Sequence, residues 1–121
     1  MKRDAGIIRE LLFEIEENDG FAIGKRRQAN AQRNFTDARL YHTLLMLDEG
    51  LLAEVGDASS YVRMTAAGHD FLDAVRDETV WAKTKAKLKE AGGDITTGTV
   101  KAVAISFLKD KLGAISDLIT P

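Results

Sequence analysis

Thr36-Asp37-Ala38-Arg39-Leu40-Tyr41-His42-Thr43-Leu44-Leu45-Met46-Leu47-Asp48-Glu49-Gly50-Leu51-Leu52 is the stretch that decides the fold. Thr36 or Asp37 suits an N-cap, because a side-chain oxygen there accepts from an unpaired amide of the first turn. Leu40, Leu44, Leu47 and Leu51 recur at helical spacing and predict one buried stripe. Gly50 stands where a helix ends in a left-handed residue, with Leu51 placed to fold back on the last turn. Beyond it, Leu51 to Val55 and Tyr61 to Thr65 read as two short strands around Gly56-Asp57-Ala58-Ser59-Ser60. A helix, a glycine stop and a hairpin, followed by Thr65-Ala66-Ala67-Gly68-His69-Asp70-Phe71-Leu72, form the pattern of a winged helix-turn-helix. In that fold the exposed helix face fits the DNA major groove.

Working outward, Asp4 to Asn18 predicts a first helix with Ile7, Ile8, Leu11, Leu12 and Ile15 as its stripe. Asn18-Asp19-Gly20 closes it with turn chemistry, and Phe21-Ala22-Ile23 reads as a short strand. Gly24 to Asn34 has only alanines to bury and reads as a loop-like replacement for the helix that usually precedes a recognition helix. After the hairpin one long helix is expected from about Thr65 to Glu90, with Phe71, Leu72, Val75, Thr79, Ala82 and Ala86 on one face. Val80 and Trp81 fall off that face and call for a second partner. Ala91-Gly92-Gly93-Asp94 breaks the helix. A last one starts at Thr96 or Thr97 and carries Val100, Val103, Ala104, Phe107, Leu108, Leu112, Ile115, Leu118 and Ile119. The expected class is mainly α with a small β-hairpin. A winged-helix core would span 1–72, and a long helix plus a C-terminal helix would span 65–121, packed on the core or used for dimerisation.

Composition narrows the function classes. The 121 residues are 45% apolar and 30% charged, enough for one real core. There is no cysteine, which excludes disulfides and thiolate metal sites and fits a cytoplasmic home. Met1-Lys2-Arg3-Asp4 leads into an acidic amphipathic segment rather than a signal peptide, and no apolar run approaches a membrane span. Net charge is -2, yet Gly24 to His42 holds five basic residues against one acid, a local +4 that leaves -6 elsewhere. Such asymmetry is a directed field.

The opening Met1-Lys2-Arg3-Asp4, Tyr41-His42 with Leu44-Leu45 and Gly50-Leu51-Leu52, and Met64-Thr65-x-x-Gly68-His69-x-Phe71-Leu72-Asp73-x-x-Arg76 carry a resemblance. So does Thr79-Val80-Trp81-x-Lys83-Thr84-Lys85-x-Lys87-Leu88-Lys89 with Gly92-Gly93. Together they resemble a family of small bacterial and prophage proteins that has carried a domain-of-unknown-function label. The resemblance covers most of the chain. It implies a winged-helix fold and a phage or mobile-element setting, and it does not imply a catalytic activity.

Each candidate residue has a chemical reason. Arg39, His42, Met46 and Glu49 lie opposite the leucine stripe with Thr43 at its edge. Arg39, His42, Thr43, Asn34 and Thr36 are the expected base or phosphate contacts of a recognition helix. Lys25, Arg26, Arg27 and Arg33 would hold backbone phosphates, and Arg63 on the hairpin is a further contact. Val80, Trp81, Val103, Phe107, Leu108, Leu112, Ile115, Leu118 and Ile119 are the expected homodimer interface. His42 and His69 lie on different predicted helices with no framing carboxylates, so neither a zinc site nor a catalytic role is expected. Gly92-Gly93 follows a helix instead of opening one after a strand, so it makes no phosphate cradle. Lys83, Lys85, Lys87 and Lys89 divide between two helix sides and serve solubility. No cofactor, small-molecule substrate or membrane is implied. Two functions compete: a dimeric regulator reading double-stranded DNA with helix 36–49, and a protein-interaction module acting as an adaptor or inhibitor of a host protein machine. Fold class alone does not separate them.

Overall fold

The structure, a computed structural model, describes residues 1–18, 23–24, 37–56, 61–92 and 96–119, with side chains omitted at 23–24 and 114–119. Two compact units are present, Met1–Leu72 and Asp73–Pro121.

In the first unit, helix α1 (Ala5–Glu17) starts at Asp4, whose Oδ1 accepts from the amides of Gly6 (2.8 Å) and Ile7 (3.3 Å). Its inward stripe buries Ile8, Leu11, Leu12 and Ile15, each contributing about 1.5–3 kcal/mol by leaving water. Among the described residues the next element after strand β1 (Ile23–Gly24) is helix α2 (Asp37–Asp48), which packs on α1. Helix α2 stops as its sequence demands. Gly50 takes φ +76°, its amide donates to the Leu47 carbonyl (3.2 Å), and the Leu51 amide reaches the Met46 carbonyl (2.9 Å). This is a Schellman closure, and it turns the chain straight into the sheet.

Strands β2 (Leu52–Val55) and β3 (Tyr61–Met64) pair antiparallel, with Leu52 opposite Met64 and Val55 opposite Tyr61. β1 adds to the far side of β3, giving the order β1-β3-β2, so the hairpin belongs to a three-stranded sheet. Period two sends Val62 and Met64 inward and leaves Tyr61 and Arg63 exposed. Helix α3 (Ala66–Val75) follows at once. Thr65 Oγ1 accepts from the Gly68 amide (3.0 Å), and the Thr65 amide donates to the Leu51 carbonyl (3.1 Å). At Gly68 a Cβ would stand 2.2 Å from the Leu51 carbonyl oxygen, so only glycine permits this approach of helix to strand.

The expected single helix from 65 to 90 is two helices. Helix α3 ends at Val75, and Asp77 caps a new one, α4 (Glu78–Ala91), by accepting from the Val80 amide (2.9 Å). The break resets the helical register. Val80, Trp81 and Thr84 therefore face inward, whereas Thr79, Ala82 and Ala86, expected on the buried face, are exposed. Helix α5 (Thr97–Ile119) packs on α4 and buries Val100 and Ala104.

Candidate functional site

Helix α2 is the element on which the functional reading depends, and it sits the opposite way round from its leucine spacing. The inward face carries Arg39, His42, Thr43 and Met46. Arg39 is 6% exposed and His42 1%. Leu44, expected in the core, is 45% exposed, Tyr41 is 37% exposed, and Leu40 and Leu47 are half-buried. Of the expected leucine stripe only Leu51 is buried.

Specific partners hold the polar face inside. Arg39 forms a buried ion pair with Glu14 of α1. The His42 ring spans two backbones, since Nε2 accepts from the Asp4 amide (2.8 Å) and Nδ1 donates to the Ala38 carbonyl (2.6 Å). That arrangement requires the neutral tautomer with its proton on Nδ1. Thr43 Oγ1 donates to the Arg39 carbonyl (2.9 Å). Buried polar groups are tolerated when paired, and these bonds join α2 to α1 and to its own backbone. Burial pushes the Glu14 carboxyl above its ordinary range, against the opposing pull of Arg39, while Glu10 and Glu17 push it further up. Glu14 Oε1 is buried with no hydrogen-bond partner among the described residues.

The expected DNA contacts Arg39, His42 and Thr43 are therefore corrected: all three are buried and joined to α1 or to the backbone of α2. Toward solvent, α2 presents Leu40, Tyr41, Leu44 and Leu47, with Asp37 exposed at the first residue and Asp48 at the last. Arg63 is exposed on β3, its Nη1 donating to the Met64 carbonyl at 3.4 Å. Lys25, Arg26, Arg27, Arg33, Asn34 and Thr36 lie outside the described residues.

Residues 2–94 match the family described as Hypothetical protein (DUF2513). The chain belongs to that family. It is also 28% identical over 123 residues to an uncharacterized protein of Haemophilus influenzae, a match covering 93% of this chain and 99% of that protein. No solved structure matches.

The DUF2513 match ends before helix α5, the helix expected to pair two copies. The premise of that pairing is corrected as well. Val80 and Trp81 are 1% and 5% exposed within a single chain, because the new register of α4 points them inward. Val103, Phe107 and Leu108 are half-buried, and Leu112 is 56% exposed. The side chains of Ile115, Leu118 and Ile119 lie outside the described set. Between α4 and α5, Thr79, Val80, Lys83, Phe107, Asp110 and Lys111 line a groove of about 290 Å³. At its edge Lys111 pairs with Asp77 and holds that carboxyl below the ordinary range. Among the described residues no group of three or more His, Asp or Glu is placed to hold a metal ion, and no helix is long and apolar enough to cross a membrane.

Sequence reasoning missed Glu14, Tyr41 and Leu44. A signal for Glu14 was present: it follows Ile7 and Leu11 at i+7 and i+3, on the shoulder of the α1 stripe, where a carboxylate needs a cation opposite.

Proposed function

We propose that Met1–Leu72 of this DUF2513 protein is a winged-helix unit working as a protein-interaction module, with the outer face of α2 as its docking surface. Among the described residues the order α1-β1-α2-β2-β3, with the sheet order β1-β3-β2, supports the winged-helix reading. One observation carries the functional reading. The helix that would enter a major groove turns its arginine, histidine and threonine inward, and leaves Tyr41 and Leu44 exposed, with Leu40 and Leu47 half-buried beside them, between two exposed aspartates. Base readout needs donors and acceptors on the outer face, and phosphates are repelled by carboxylates at both ends of the helix. An exposed apolar helix face instead suits burial against another protein.

Binding of the full chain to mixed genomic DNA fragments at about 50 and 200 mM salt tests this. No retention at either salt is the expected result. Retention at the lower salt that collapses at the higher one, and that weakens on neutralising Lys25, Arg26, Arg27 and Arg63, would establish the DNA reader instead.

A further inference from the structure

The outer face of α2 also specifies the chemistry of what covers it. Along the helix, Leu40, Leu44 and Leu47 form one apolar ridge beside Tyr41, at the i, i+4 and i+7 spacing that packs against a second helix. Asp37 opens the helix and Asp48 closes it, both exposed. Eleven residues of α-helix separate them by about 16 Å. Glu10, Glu16 and Glu17 of α1 and Glu54 of β2 are exposed elsewhere on the same unit, and just beyond Asp48 the Glu49 carboxylate is already paired with Arg3 at 3.3 Å.

We infer that this face takes an amphipathic helix of another protein, with a leucine-type stripe bounded at both ends by lysine or arginine about three turns apart. The inference rests on the interaction-module reading and adds the partner's chemistry to it. Cations at that spacing meet Asp37 and Asp48 while the stripe covers Leu40, Tyr41, Leu44 and Leu47. A second copy of α2 does not fit. Placed antiparallel it sets Asp37 against Asp48, and placed parallel it sets each aspartate against its twin, so like charges meet either way.

Two synthetic helical peptides with one leucine stripe, ended by lysines in one and glutamates in the other, test this by titration against the full-length protein. The wild-type chain should bind the lysine-ended peptide about tenfold more tightly, since two rim pairs change from attraction to repulsion. In the Asp37→Lys/Asp48→Lys double variant the preference should invert. In Tyr41→Ser/Leu44→Ser both peptides should lose binding, with circular dichroism unchanged because these side chains are exposed. Equal binding of the two peptides, abolished by the serine pair, would overturn the charge rule and leave the docking face standing. Absence of binding by either peptide, or binding untouched by the serine pair, would overturn both. Light scattering adds a last outcome. Self-association of the wild-type chain that vanishes in the serine pair would make a second copy the occupant and overturn the inference.

Discussion

Helices α1 and α2 pack on one another and follow opposite rules. Helix α1 turns Ile8, Leu11, Leu12 and Ile15 inward and leaves Glu10, Glu16 and Glu17 outside. Helix α2 turns an arginine, a histidine and a threonine inward beside Met46, and shows Leu44 and Tyr41 to solvent. The first is held by transfer of apolar surface, which needs no particular partner. The second is held by directional bonds to Glu14 and to the Asp4 backbone, which do. Apolar surface left outside by such an arrangement is available to a binding partner, and that links the odd packing of α2 to its proposed work.

The contrast can be broken most severely at the ion pair. Arg39→Ala should destabilise by about 3–5 kcal/mol, since it strands the buried Glu14 carboxylate. An Arg39→Met/Glu14→Leu double variant should recover most of that loss in urea melts. A loss under about 1 kcal/mol for the single variant would mean the pair is solvated.

The same substitution made on both helices sharpens the contrast. Leu12→Ala on α1 should cost about 2–5 kcal/mol through lost burial and a cavity. Leu44→Ala on α2 should stay within about 0.5 kcal/mol, as exposed positions do. Equal losses by chemical denaturation would show that the outer face of α2 is covered in solution. His42→Ala should fall between them, at about 1–3 kcal/mol, because it leaves the Asp4 amide without its acceptor.

The smallest expected effect is one of pH. Folding raises the Glu14 carboxyl above its ordinary value of 4.5, so between that value and the raised one the native state binds more protons than the unfolded state. Glu14 therefore contributes a stability that is fully present below 4.5 and is lost as pH rises through the raised value. Glu14→Gln should flatten that part of the stability-pH curve, measured by thermal melts across mildly acidic pH. An unaltered slope would place the carboxyl in water.

How much of this was legible depended on the range of the forces involved. The end of α2 is local chemistry: Gly50 supplies the left-handed residue and Leu51 closes the motif, so the six residues from Met46 to Leu51 contain the whole signal. The hairpin and the stripe of α1 are equally local, one from period two and the other from a strongly one-sided helix. The break at Arg76-Asp77 was also written locally, in a capping aspartate ahead of Glu78, but periodicity counted across it placed Val80 and Trp81 on the wrong face. The sidedness of α2 had no local signal. Leu44-Leu45-Met46-Leu47 puts apolar groups on every side of the helix, so its spacing fits more than one buried face.

The sequence by itself determined that a capped helix precedes, and a glycine-stopped helix leads into, an antiparallel hairpin, with a local +4 between Gly24 and His42 in a chain of net charge -2. Those features are set by neighbours within a turn or two of chain, where backbone geometry and capping leave few choices. Only the tertiary structure decided which side of α2 is inside. That choice depends on Glu14, 25 residues from Arg39, and on the Asp4 amide, 38 residues from His42. A buried charge or ring nitrogen is stable only where a distant part of the chain supplies its partner, and the spacing of leucines carries no record of that partner.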